Sequence, residues 1–374
     1  MALFAVGLAS TWLLPSGAGV QSGNLAWHEP TVRPLEMWAR WDSEWFLLIA
    51  AEGYDVGDHI SRFGVNYEPS AAAGFLPLYP FLIRLLQPLF GPVLAGVVIS
   101  NVCLFFSLLL LERLVRLEIG GEAGRVAGTA ACVALLVFPS SFFLSAVYAE
   151  SLFLMLSLAV FTFARHRHFA AAGLAGALAA LTRPFGIFLV VPIVWEWWLS
   201  QRQKPNEEPL SNTRPWEILW AGLPPAALGG FFAFCHFTFG DPLALFYRQE
   251  RWRGALSGPW RAFVRWWEAG PTAHGAHGST IELVVAVVCV GMLVFMARRL
   301  RGSYTVYAVA GVMLALGSTL WSFSRIALPL FPFFMLIGAA WARGRRCLPA
   351  LYAFAGAILS GLLVSLFANW WWAG

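Results

Sequence analysis

The residues best suited to chemistry lie in one acidic stretch, Arg40-Trp41-Asp42-Ser43-Glu44-Trp45-Phe46-Leu47-Leu48-Ile49-Ala50-Ala51-Glu52-Gly53-Tyr54-Asp55. It gathers four carboxylates and one arginine in a chain where charged residues make up only 12% of the total. Eight of the 20 acidic residues fall between positions 29 and 68: Glu29, Glu36, Asp42, Glu44, Glu52, Asp55, Asp58 and Glu68. Carboxylates beside a membrane are costly unless paired or wet, so this concentration points to an active site at a membrane surface. Asp42 there has the chemistry of a general base, taking a proton from an acceptor hydroxyl. It has equally the position of a helix N-cap before an apolar-periodic run.

A helix starting near Asp42 places Asp42, Trp45, Phe46 and Ile49 on one face, with Glu52 at its edge and Glu44 turned the other way. Trp, Phe and Leu beside charges suit a helix lying along the interface. On this reading Glu44 is a solvated surface charge. Glu52 and Asp55 are either secondary site groups or the polar exit past Gly53. Glu68 is a site carboxylate or a loop charge, and Tyr79 stands in Phe75-Leu76-Pro77-Leu78-Tyr79-Pro80-Phe81, where two prolines three apart predict a break from regular helix. That break is expected to be a re-entrant turn ordering the loop.

Three further stretches could contribute. Tyr148 and Glu150 stand out in the turn Phe138 to Ser151. Arg183 in Leu181-Thr182-Arg183-Pro184-Phe185-Gly186 and Arg325 in Ser324-Arg325-Ile326-Ala327-Leu328-Pro329 sit between apolar runs. A guanidinium binds phosphate oxygens bidentately, although an arginine at a span end also simply snorkels. Arg248, Arg251, Arg253, Arg261 and Arg265, interleaved with Trp252, Trp260, Trp266 and Trp267, read as lipid headgroup contacts. His274 and His277 in their Gly-rich tract read as loop residues.

The elements that must hold these groups are membrane spans. Of 374 residues 59% are hydrophobic, with mean hydropathy +0.67 and 19 Trp, which excludes an ordinary soluble domain. The five cysteines are scattered without CxxC or Cys/His spacing, so neither a disulfide framework nor a zinc site is expected. The net charge of +5 marks cytoplasmic loops and phosphate contacts rather than nucleic acid. About eleven apolar segments can be drawn, at roughly 1–15, 92–111, 126–145, 149–164, 169–181, 184–199, 216–236, 279–297, 304–320, 327–342 and 349–370. The first is short, or clipped at its start. Every second connection is short and basic, which puts those loops in the cytoplasm and the acidic loop outside. Two outer loops are long, about 16–91 and 237–278, and the polar 200–215 stretch is a cytoplasmic linker. The chain reads as one all-α, polytopic membrane domain.

The ordered set Trp41-Asp42 with Phe46-Leu47-x-Ile49-Ala50-x-x-Gly53-Tyr54, Phe75-Leu76-Pro77-Leu78-Tyr79-Pro80, Phe138-Pro139 through Ser145-Ala146-x-Tyr148-x-Glu150-Ser151, Thr182-Arg183-Pro184-x-Gly186, and Ser324-Arg325 with Pro329 and Pro332 resembles the PIG-V (GPI mannosyltransferase 2) family in a prokaryotic form. That resemblance implies a GT-C glycosyltransferase, a hexosyltransferase with a long first outer loop carrying interfacial helices. It implies a polyprenyl- or dolichyl-phosphate sugar donor, a glycolipid or glycan acceptor, a lipid surround, no nucleic acid and no required cofactor or metal. Asp42 becomes the acceptor's base. Arg325 and Arg183 become holders of the lipid phosphate, with Trp41, Tyr79, Tyr148, Glu150, Glu52, Asp55 and Glu68 as further substrate contacts. The expected setting is a bacterial plasma membrane with the site on its extracytoplasmic face. A transporter or flippase of lipid-linked saccharides is the competing class; it should show inverted repeats and charges near mid-membrane. A scaffold without chemistry would leave the acidic loop unexplained.

Overall fold

The computed structural model describes residues 2–15, 30–55, 69–202, 213–275, 277–344 and 347–373. Helices dominate, and among the described residues there is no strand, only an isolated bridge between Thr272 and Ser279. In chain order they are α1 (Ala2–Leu13), α2 (Asp42–Glu52), α3 (Leu78–Phe90), α4 (Pro92–Ile119), α5 (Gly121–Leu136), α6 (Glu150–Arg165), α7 (Phe169–Ala180), α8 (Val190–Gln201), α9 (Leu223–Phe239), α10 (Ala244–Arg253), α11 (Trp260–Glu268), α12 (Thr280–Arg299), α13 (Gly302–Leu316), α14 (Phe323–Ala327), α15 (Pro332–Trp341) and α16 (Cys347–Ala368).

Among the described residues, four helical stretches are long and apolar enough to cross a membrane alone: Pro92–Ile119, Pro215–Phe239, Thr280–Arg299 and Pro349–Ala368. The other apolar runs fold as shorter helices or are broken. The 184–199 run divides into a 3-10 turn, Pro184–Leu189, and α8, because Pro184 and Pro192 cannot both sit inside one regular helix. The 126–145 run ends as helix at Leu136, and a mostly buried passage, irregular apart from the 3-10 turn Ser141–Leu144, leads to Glu150. Non-helical backbone is tolerated there because protein surrounds it.

The prolines of the first loop start a helix rather than break one. Pro77 precedes α3 and Pro80 falls in its first turn, where an N–H has no intrahelical partner to lose. Upstream, the 3-10 turn Pro69–Gly74 and α3 are fastened to the rest by Leu78 N–H donating to Leu181 O at 3.0 Å.

Small residues set the helix spacing. Gly338 of α15 packs so closely on α5 that a Cβ there would overlap the carbonyl of Ala127 and stand 2.9 Å from the Ala131 Cβ, the close backbone approach typical of membrane helix pairs. At the end of the bundle away from α2, Glu118, Arg165, Glu196 and Arg301 form a chain of ion pairs tying α4, α6 and α8 to the start of α13. Tyr304 and Ser303 complete it with hydrogen bonds of 2.9 Å and 3.1 Å to Glu118 and Glu196. Polar groups are thus paired at one end of the bundle, leaving the other to organise a cavity.

Candidate active site

The site begins with an abrupt entry into α2. Trp41 takes φ of 58°, turning the chain so that Asp42 is the first helical residue, and no side chain caps the helix. The N-cap role is therefore unfilled by Asp42. Its Oδ2 instead accepts from Arg325 Nη1 at 2.6 Å. Ser43 through Ala50 are all buried, so α2 is embedded rather than half-wet at the interface. The reading of Glu44 as a solvated charge is corrected: it is 5% exposed and lines the same cavity as Asp42. A helix enclosed on both faces gives its outward charges no water to reach.

Arg183 and Glu150 supply the second pair. Arg183 adopts the extended backbone required before Pro184, and Gly186 lets the following turn lie directly on Ala180, where any Cβ would overlap backbone. That fold-back presents Arg183, whose Nη1 donates to Glu150 Oε1 at 2.9 Å. Arg325 Nε lies 3.6 Å from the same Glu150 oxygen. The four groups therefore form one sequence of alternating charge, Asp42, Arg325, Glu150, Arg183. Burial opposes the charge on Arg325, but Asp42 and Glu150 outweigh it and hold the guanidinium above arginine's usual value. For Arg183 burial wins over Glu150, and it is held below that value.

These residues line a cavity of about 710 Å³. Aromatic rings form much of its wall: Trp41, Trp45, Phe75, Trp252, Trp321 and Trp372. Trp372, beyond the last helix, meets Trp41 and Trp321 edge to face at centroid distances of 5.4 and 5.6 Å, and the Arg325 guanidinium lies 5.3 Å from its ring. The irregular backbone carrying Tyr148 is tied to α2's entry, since Tyr148 Oη donates to Arg40 O at 3.0 Å.

Of the expected residues, Trp41, Asp42, Tyr148, Glu150, Arg183 and Arg325 come together here. Tyr79 does not line the cavity; it stands behind Phe46, with ring centroids 5.1 Å apart, and its hydroxyl bonds Gly96 O and Ser100 Oγ. Glu52 and Asp55 are exposed and outside the cavity lining. Glu68 lies outside the described residues.

The 248–265 loop departs most from expectation. Arg248 is buried against Ser70, and Arg265 Nη1 donates to Ser318 O at 2.7 Å. Arg253 lines the cavity beside Gln249, Glu250 and Trp252. Arg253 thus helps close the site from the second outer loop and Arg248 and Arg265 bond protein groups, while Arg251, Arg261, Trp260 and Trp267 are exposed. His274 Nε2 lies 2.5 Å from Trp372 O and His277 packs on Trp321 at 4.9 Å, so both brace the aromatic wall.

Arg253 was the least legible member. Its Nε reaches Ser318 Oγ at 3.3 Å and its Nη2 reaches Ala315 O and Thr319 O at 3.4 Å, all neutral acceptors. Burial, reinforced by the nearby guanidiniums of Arg325 and Arg183, pulls it down to about 9. A guanidinium keeps its proton at neutral pH all the same. Among the described residues, the cavity therefore contains two arginines ion-paired with carboxylates, Arg183 and Arg325, and a third, Arg253, with no carboxylate at ion-pairing distance.

Comparison with known proteins agrees with this architecture. Residues 26–196 match the family Mannosyltransferase (PIG-V), a segment running from before α2 into α8 and including Asp42, Glu150 and Arg183 but not Arg253 or Arg325. No curated protein matches the sequence. The crystal structure of ArnT from Cupriavidus metallidurans bound to undecaprenyl phosphate superposes with a TM-score of 0.51 at 13% identity, over 98% of this chain and 70% of that one. Its apo form gives 0.49 at 16% identity, over 92% and 58%. The apo Archaeoglobus fulgidus oligosaccharyltransferase gives 0.44 at 12% identity, over 100% and 56%. The first of these carries the likeness of fold. Over residues 26–196, a little under half of its length, the chain is thus similar to the mannosyltransferase (PIG-V) family, and as a whole it shares the fold of ArnT.

Proposed function

We propose that this membrane glycosyltransferase moves mannose from a polyprenyl-phosphate donor to a hydroxyl of a glycan or glycolipid, with inversion, at the extracytoplasmic face of a bacterial plasma membrane. The observation that carries the reading is the meeting of Asp42, Arg325 and the unmatched Arg253 in one aromatic cavity. The donor lipid class is suggested by the ArnT relative, whose crystal holds undecaprenyl phosphate.

In the proposed reaction the lipid phosphate seats against Arg253 and competes with Asp42 for the fork of Arg325. Among the described residues Arg325 donates a hydrogen bond through Nη1 and turns Nε toward Glu150, which leaves Nη2 as the part of its fork for a phosphate oxygen. Donor binding thereby loosens Asp42, whose Oδ1 takes the proton of the acceptor hydroxyl. The acceptor oxygen bonds to the anomeric carbon as the anomeric carbon–phosphate oxygen bond breaks. The electron pair leaves with the lipid monophosphate, and Arg325 and Arg253 face the charge it gains, help that is strongest where water is excluded. Arg183 keeps Glu150 matched while Arg325 is shared. No step as written calls on a metal ion.

Asp42→Asn tests the reading. It removes the proton acceptor at nearly constant shape, and loss of a general base costs about 10²- to 10⁴-fold in rate. Membranes carrying the variant should accumulate folded protein yet transfer no labelled mannose from polyprenyl-phosphate mannose. Turnover close to wild type would remove Asp42 from the chemistry. Movement of labelled lipid between leaflets without sugar transfer would favour a flippase.

A further inference from the structure

A carboxylate outside the reaction described above is committed to the residue just before Arg325. Glu282, in the first turn of α12, is 2% exposed. Its Oε2 accepts from the Ser324 backbone N–H at 2.5 Å and its Oε1 accepts from Ser324 Oγ at 2.8 Å. Both oxygens therefore serve one residue, separated from Glu282 by 42 positions along the chain.

The segment so gripped is one that local preferences would not hold. Ser322 takes φ of 62°, a left-handed conformation costly for a residue with a Cβ, and α14 is only five residues long. A helix this short has no cooperative stability of its own. Its direction has to be imposed from outside, and among its described hydrogen bonds the Glu282 pair is the one fixed to the long span α12. Arg325 follows immediately, and its fork must meet Asp42 at 2.6 Å while its Nε stays 3.6 Å from Glu150. A small rotation of α14 would break that double engagement.

We propose that Glu282 is a positioning residue, clamping the Ser322–Ser324 turn so that Arg325 is aimed between Asp42 and the departing phosphate. The proposal rests on the role given to Arg325 above. It sets Glu282 apart from a carboxylate that merely neutralises Arg253, the other cation within its electrostatic reach.

A double-mutant cycle on purified full-length protein in nanodiscs decides it, with kcat and KM measured for a short-chain polyprenyl-phosphate mannose. Glu282→Gln replaces one acceptor oxygen by a donor and should lower kcat on the order of tenfold, the loss expected for a hydrogen bond to a buried charge. Donor KM should stay within about twofold, because the interaction lost belongs to the transition state. In an Arg325→Lys background the same substitution should add less than about twofold, since two residues acting through one contact are not additive. Losses that multiply in the double variant, or a Glu282→Gln effect expressed as raised donor KM, would overturn the assignment. If Glu282→Gln does not accumulate, Ser324→Ala removes the hydroxyl arm alone and should still cost kcat a few-fold; wild-type kcat would overturn the clamp. Asp42→Asn in the same series separates the two ideas. If it is inactive while the cycle is additive, only the clamp falls; if it is active, the reading of the whole site falls with it.

Discussion

Arg253→Gln should weaken donor binding while leaving the fold nearly untouched. The side chain makes three contacts to neutral oxygens at 3.3 to 3.4 Å, long enough that each is worth only about 0.5 kcal/mol. Against that loss of roughly 1 to 1.5 kcal/mol stands relief from holding a desolvated cation with no carboxylate partner. The two nearly cancel, and net stability should move by less than about 1 kcal/mol. The phosphate contact is different, because a charge-assisted bond contributes about 1.5 to 3 kcal/mol, or roughly a 10- to 150-fold loss of affinity. Binding of undecaprenyl phosphate can be read by thermal shift, since ligand at about 100 times Kd adds about 2.7 kcal/mol of stability. Wild-type protein should show that shift and Arg253→Gln should need far more lipid to reach it. Arg183→Gln is the contrast. It strips Glu150, 2% exposed, of its 2.9 Å partner and leaves Arg325 at 3.6 Å, so it should destabilise by about 3 kcal/mol. If Arg253→Gln binds the lipid as wild type does while a folded Arg183→Gln does not, the charge argument is refuted.

Tyr79→Phe should leave donor KM and kcat unchanged and cost about 1 kcal/mol, for the hydroxyl bonds only Gly96 and Ser100 behind the cavity; a kinetic defect would return Tyr79 to the site. Gly338→Val should force α15 from α5 and destabilise by at least about 2 kcal/mol, read as loss of detergent-resistant folded protein. Glu196→Ala should cost about 1 to 3 kcal/mol by removing the partner of Arg301 and Ser303 while Arg165 keeps Glu118 at 2.6 Å, with kcat per folded molecule preserved because that network lies at the far end of the bundle.

What the sequence revealed of the site came from residue types at fixed spacing. Asp42, Tyr148, Glu150, Arg183 and Arg325 stand out because charge is rare in apolar surroundings, and the structure brings them into one cavity. Their pairing could not be read so directly. Asp42 and Arg325 are 283 positions apart, and no local periodicity encodes which arginine meets which carboxylate. Glu44 was misread because a helical wheel separates faces but cannot say that both are enclosed. Arg253 was misread because an Arg/Trp mixture has the same composition whether it faces headgroups or closes a cavity. The apolar runs located the helices well. They failed at Pro77 and Pro80, where proline at a helix start and proline in a break look alike until the chain on either side is known.

The first and last helices are partners. α1 packs along α16, Asn369 Nδ2 donates to Ser10 Oγ at 3.0 Å, and Arg40 Nε reaches Ala368 O at 3.3 Å. α1 is 12 residues long, about 18 Å of helix against about 30 Å of hydrocarbon, and it has little to bury against until α16 arrives. Biogenesis inherits a delay from this arrangement. α1 cannot dock on α16 until the long stretch between them has been made, and the wall carrying Trp372 settles only after that stretch. A lesion in α16 should therefore leave α1 without its main packing partner and exposed to quality control.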